Sequence, residues 1–119
     1  MPETRAVTES PGTASELTAF QRNVLTILAE EPRYGLAVKR GLETYYGEEV
    51  NHGRLYPNLD ELVEMGLVEK AELDKRTNQY ALTEEGYQVL LDQLSWTFSK
   101  LLAEDGRAED IEALVDAVR

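Results

Sequence analysis

The sequence contains no cysteine, which excludes disulfides, thiol catalysis, thiol-based redox sensing and cysteine-ligated zinc or iron–sulfur centres. Two methionines are the only oxidisable sulfur, so any redox response would have to be indirect. One histidine, no glycine-rich phosphate loop and no pair of metal ligands at useful spacing leave little from which to build an enzyme. Carboxylates are plentiful, but their spacing follows solvated helix faces rather than an acid–base pair. No enzyme activity, cofactor or metal is expected. No apolar run approaches a membrane span, and the N-terminus lacks the apolar core of a signal peptide. The expectation is a cytoplasmic protein with no membrane partner.

Charge is what the chain has in excess. Twenty-three acidic residues against 12 basic ones give a net charge of −11. That is unfavourable for nucleic acid, because phosphate neutralisation supplies most of such affinity. The distribution tempers the objection. Residues 84–119 hold nine acids and three bases, a net of −6, whereas residues 33–80 hold nine acids and seven bases, a net of −2. Arginine outnumbers lysine eight to four. This resembles the acidic, lysine-poor surfaces of proteins from salt-loving organisms; an ordinary acidic bacterial protein is the alternative.

At 119 residues the chain is expected to form one globular unit with a modest core. Residues 1–15 mix Pro, Thr, Ser, Glu and Gly and are expected to be a flexible tail. A first helix follows, with Thr18 as cap, Gln21 as its reciprocal partner, and Leu17, Phe20, Val24, Ile27 and Leu28 on one face. Tyr34 to Tyr46 reads as a second helix closed by Gly47, with Leu36, Val38, Leu42 and Tyr45 partly buried and Lys39 and Arg40 on its surface. Glu48-Glu49-Val50 is a connector, with room for a short strand residue.

The stretch from Asn51 to Gly66 is the centre of the sequence. Leu55, Leu59 and Leu62 form an apolar stripe, while Asn51, His52, Arg54 and Asn58 fall largely opposite. These polar groups suit base edges and phosphates, and Asn51 caps the helix so that its positive dipole end lies beside His52 and Arg54. Alone, such a helix is more often an ordinary surface helix. What favours a recognition helix is that its polar face carries no carboxylate before Asp60. Pro57 is expected to kink it. Residues 67–73 and 79–82 read as a β-hairpin around the polar turn 74–78, whose tip carries Lys75 and Arg76. A basic tip is often only a solubilising turn; directly after a recognition helix it is placed to act as a wing on phosphates or a minor groove.

Thr83 caps a long last helix whose stripe comprises Tyr87, Leu90, Leu91, Leu94, Phe98, Leu101 and Leu102. After Asp105-Gly106, a short amphipathic helix carries Ile111, Leu114, Val115 and Val118. Either that helix folds back over the stripe, or a second copy of the chain covers it, as in DNA readers that bind paired half-sites.

Four runs in order carry a family resemblance: Tyr34-Gly35-Leu36, Gly53-Arg54-Leu55-Tyr56-Pro57-Asn58-Leu59, Glu64-Met65-Gly66-Leu67-Val68, and Tyr80-Ala81-Leu82-Thr83-Glu84-Glu85-Gly86. Over about residues 17–103 the chain resembles the PadR-like winged-helix transcriptional regulators. The resemblance implies a mainly α fold with a small β-hairpin: a winged helix-turn-helix over 16–83 and C-terminal dimerisation helices over 84–119. It implies a homodimer on double-stranded DNA, most often a repressor. By position, Gly53, Arg54, Tyr56, Pro57 and Asn58 fall in the recognition helix, and Lys75, Arg76 and Thr77 in the wing. Together with the acidic composition it suggests a stress-responsive regulator of a halophilic archaeon. Some members release DNA on binding planar ligands between subunits, near where Trp96 and Phe98 lie; the effector here is unknown. The expected DNA set is completed by Lys39, Arg40, Asn51 and His52, and the dimer set by Phe20, Val24, Tyr87, Leu91, Leu94, Trp96, Phe98, Leu101, Leu102, Leu114 and Val118. The chain is more acidic than most of the family, so salt cations at the DNA interface are a further expectation. A winged helix used only for protein–protein contact is the alternative.

Overall fold

The computed structural model describes residues 11–74 and 76–119. Helices α1 (Pro11–Glu16), α2 (Ala19–Glu30), α3 (Gly35–Tyr46) and α4 (His52–Glu64) lead into a hairpin of β2 (Val68–Glu72) and β3 (Asn78–Leu82), followed by α5 (Glu84–Leu101) and α6 (Arg107–Val118). A two-residue strand, β1 (Arg33–Tyr34), completes an antiparallel sheet in the order β1-β3-β2. The fold is thus mainly α with a small sheet.

The helix ends follow local chemistry. Thr18 and Gln21 form the reciprocal capping box of α2, so two of its orphan donors are satisfied. Asn51 accepts from the Gly53 N–H to start α4, and Thr83 accepts from the Gly86 N–H to start α5. Helix α4 runs unbroken through Pro57. Three wholly buried leucines, Leu55, Leu59 and Leu62, each stabilise by about 1.5–3 kcal/mol relative to exposure. Together they outweigh the ~3 kcal/mol that an interior proline costs. They meet Val24, Leu25, Val38, Leu42 and Tyr80 in one core.

The N-terminal boundary shifts. Pro11–Glu16 is helical, and Ala14 and Leu17 are buried in the core, so the expected tail does not extend to residue 15; residues 1–10 lie outside the described residues. The extra strand falls at Arg33–Tyr34, paired with Tyr80 and Gln79, not at Glu48–Val50, where Val50 is instead a core residue. Leu36 and Tyr45 are exposed rather than partly buried.

The C-terminal helices divide sharply. Val89 is buried against the core, whereas Tyr87, Leu91, Leu94 and Trp96 are exposed. Helix α6 contains no buried residue. It does not fold back over α5, and the apolar stripe stays open along most of its length. Among the described residues no helix is long and apolar enough to cross a membrane.

Candidate nucleic-acid interface

The first turn of α4 presents Asn51, His52, Gly53 and Arg54 at the surface, with Pro57 one turn further on. Its N-terminal N–H groups and dipole give this end partial positive charge. No carboxylate stands in that first turn. The leucine stripe turns the polar side outward simply because the two sets of residues lie opposite each other on a 3.6-residue period.

Tyr56 is half-buried and its ring stacks on His52, with centroids 5.7 Å apart and planes within 12°. It leans against the start of α3, where Gly35 leaves the space: a Cβ there would lie 2.6 Å from the Tyr56 hydroxyl oxygen. Tyr56 is therefore a packed flank that holds the His52 ring. The glycine of the Tyr34-Gly35-Leu36 run and the tyrosine of the Leu55-Tyr56-Pro57 run are two sides of one contact.

Arg54 and Asn58 are less free than their helical positions imply. The Arg54 guanidinium lies 4.0 Å above the Phe20 ring centroid, a cation–π contact that fixes its plane. Asn58 is half-buried; its Oδ1 accepts from Gln21 Nε2 at 3.1 Å and its Nδ2 donates to the Arg54 carbonyl at 2.7 Å. Both ends of its amide are occupied, which is a poor state for reading a base.

The basic residues of α3 also separate. Lys39 Nζ pairs with the Glu43 carboxylate at 2.7 Å, and both side chains are mostly buried. Glu43 in turn accepts from the Val50 N–H at 2.9 Å. Lys39, followed by these backbone and Coulomb contacts, holds the Glu43 carboxyl below its ordinary value. The pair fastens the connector that aims α4, so Lys39 is not a cation awaiting a phosphate. Arg40 is exposed but lines a groove between α2 and α3 with Ile27, Glu30 and Arg33.

At the wing, the Asp74 carboxylate accepts from the Arg76 N–H at 2.9 Å, and Leu73 N–H donates to the Thr77 carbonyl at 2.8 Å. The Arg76 amide, with the Thr77 hydroxyl, holds the Asp74 carboxyl below its ordinary value. This shapes a tight tip on which Arg76 is exposed and Thr77 half-exposed; Lys75 lies outside the described residues. Between the wing and α4 runs an open cleft of about 520 Å³ bordered by Tyr34, Leu36, Tyr56, Arg76, Thr77 and Asn78. Tyr34 and Leu36, both exposed, were not among the expected interface residues. Helical spacing places Leu36 with the partly buried face of α3, so only the tertiary packing shows it at the cleft.

The wing and α5 are locked to the end of α4. Thr83 donates its hydroxyl to the Gly66 carbonyl at 2.7 Å, and its N–H donates to the Leu67 carbonyl at 3.1 Å. Gly86 completes the seam, since a Cβ there would lie 2.3 Å from the Leu67 oxygen.

Of the expected dimer residues, Phe20 and Val24 are core residues of the chain itself and offer no surface to a partner. An apolar stripe on α2 does not by itself reveal whether its own chain or a second copy covers it. Tyr87, Leu91, Leu94, Trp96, Leu101, Leu102, Leu114 and Val118 are exposed and Phe98 half-buried. Lys100 Nζ lies 5.6 Å from the Trp96 ring centroid.

A three-helix core with α4 presented beside a β-hairpin defines a winged helix-turn-helix. Residues 24–92 match the transcriptional regulator PadR-like family. A structure of Halobacterium salinarum RosR grown from NaBr is 65% identical, with 87% of this chain and 94% of that chain covered at a TM-score of 0.83. The complex structure of hsRosR-S4 is 62% identical, covering 92% and 95% of the two chains at a TM-score of 0.88. Bacillus subtilis PadR in complex with operator DNA shares the fold at 21% identity, covering 66% of this chain and 46% of that chain at a TM-score of 0.56. No curated protein matches the chain. The chain belongs to the PadR-like family of transcriptional regulators: it is a DNA-binding regulator and not an enzyme.

Proposed function

We propose that the chain acts as a homodimeric repressor on operator DNA, with the first turn of α4 in the major groove and the wing 73–78 against the backbone or minor groove. The observation that carries this reading is the exposed Asn51-His52-Gly53-Arg54 end of α4, free of carboxylates in an otherwise acidic protein and standing beside a wing with Arg76. Arg54 is the principal base reader, because a guanidinium suits guanine O6 and N7; His52, held by Tyr56, is the second. Arg76 and Lys75 serve the backbone.

The dimer reading rests on the open stripe of α5 and α6, which a second copy buries. Two α4 helices on a two-fold axis then read half-sites about 10 bp apart. Asp60, Glu61 and Glu64 on α4 and Asp74 at the wing would bring carboxylates near phosphates. Cation uptake there offsets the usual counterion release, so binding persists at high KCl. Selection of duplexes from a random pool at molar KCl tests the reading. Enrichment of a two-fold symmetric site supports it; recovery of no sequence above background sinks it. A steep ordinary loss of affinity with KCl removes the cation component alone.

A further inference from the structure

We infer that Gln21, a residue of α2 with no place on the DNA-facing surface, is a positioning residue that sets the sequence preference of α4. The inference rests on the proposed role of α4. Gln21 is 5% exposed, and its side chain is used at both ends. Its Oε1 accepts from the Thr18 N–H at 3.1 Å, closing the capping box of α2. Its Nε2 donates to Asn58 Oδ1 at 3.1 Å and to Glu61 Oε1 at 3.0 Å. One side chain thus ties the start of α2 to two successive positions along the polar side of α4. Beside it, Phe20 carries the Arg54 guanidinium, and Asn58 holds the Arg54 carbonyl.

The consequence is geometric. The leucine stripe fixes how deeply α4 sits, but close-packed aliphatic groups tolerate small rolls about the helix axis. Directional bonds from Gln21 do not, since both must stay near 3 Å. A roll of α4 would swing Arg54 and His52 together relative to a groove, and misplacing a reading group by about 1 Å is enough to lose a specific contact. Phosphate contacts from the wing are more forgiving, being largely charge-driven. Loss of the Gln21 bonds therefore lowers discrimination between sequences more than it lowers affinity for DNA in general.

The test uses the full chain and two duplexes of equal length: the one selected by the wild-type protein, and one of unrelated sequence. Gln21→Glu keeps an acceptor for Thr18 but replaces the donor with a carboxylate oxygen that faces both Glu61 and Asn58 Oδ1. Adding Glu61→Gln restores a donor–acceptor pair with its direction reversed, and Glu61→Gln alone controls for charge near DNA. The expected result is a fall of about tenfold in the ratio of selected to unrelated affinity for Gln21→Glu, with affinity for the unrelated duplex within threefold and the circular dichroism spectrum unchanged. The double variant regains the bond to position 61 but not the one to Asn58, and should recover part of the ratio. A folded Gln21→Glu protein with a ratio within twofold of wild type overturns the inference, as does failure of Glu61→Gln to restore part of it. Should Gln21→Glu not fold, Gln21→Met, which removes the polar bonds and keeps the volume, takes its place, and a folded Gln21→Met protein with a ratio within twofold of wild type overturns the inference. If the wild-type protein selects no sequence at all, the role of α4 itself fails.

Discussion

Gly35 and Tyr56, 21 positions apart in the chain, are in direct contact: a Cβ on Gly35 would fall 2.6 Å from the tyrosine oxygen and 2.8 Å from a ring carbon. The contact joins the start of α3 to the flank of the recognition helix, and through the stacked ring it reaches His52.

Gly35→Ala should therefore act on Tyr56. At the first residue of α3 little helix propensity is gained, and overpacking of about 1–3 kcal/mol dominates unless the ring swings away. Thermal denaturation should show a net loss for Gly35→Ala, and most of it should vanish in combination with Tyr56→Leu. Equal losses in the presence and absence of the tyrosine would contradict the contact.

Gly86→Ala should be the more damaging glycine substitution, because its obstacle is the Leu67 backbone oxygen at 2.3 Å rather than a movable side chain. A loss on the order of 3 kcal/mol or more is expected, compared with about 1 kcal/mol for Thr83→Ala, which removes a cap. Urea denaturation of the two variants decides the order; a milder Gly86→Ala would show that the seam can open.

Glu43 predicts a pH response. Its folded-state pKa is lowered from 4.5, first by Lys39 and then by the Val50 N–H. A lowered carboxyl contributes stability that is present above about 4.5 and is lost as pH falls through the folded value. Asp74 at the wing, lowered from 3.8, acts with the same sign slightly further into acid. Glu43→Gln should be less stable than wild type at pH 7, and the gap should narrow below pH 4.5 in a series of melts from pH 7 to pH 3. A gap independent of pH would mean that the pair contributes only through packing.

Leu91→Glu with Leu94→Glu tests the dimer. Both residues are exposed in the single chain, so the subunit fold should survive. Light scattering should report one subunit mass in place of two, and operator affinity should fall by tenfold or more as the half-sites lose their linkage. A variant that stays dimeric would move the interface elsewhere.

Arg54→Ala should weaken binding to the selected duplex by about 1–3 kcal/mol and relax its sequence preference, whereas Arg76→Ala should weaken all duplexes similarly and reduce the salt slope. Competition titrations against unrelated DNA separate the two. Unchanged discrimination by Arg54→Ala would remove it as a reader.

The sequence by itself determined the features whose causes lie within about four residues. The Thr18–Gln21 box, the Asn51 and Thr83 caps and the leucine stripe of α4 are of this kind, because capping bonds and helical periodicity are local. From these follow the order of helices, the hairpin and the winged-helix class. Tertiary structure decided what depends on partners far along the chain. A two-residue strand at Arg33–Tyr34 has no period to read and exists only because β3 offers it an edge. Asn58 looks like a reader until Gln21, 37 positions away, takes its carbonyl oxygen. Polar residues on a helix surface are assigned to solvent, ligand or neighbour only by what packs beside them, and that choice is made when the helices meet.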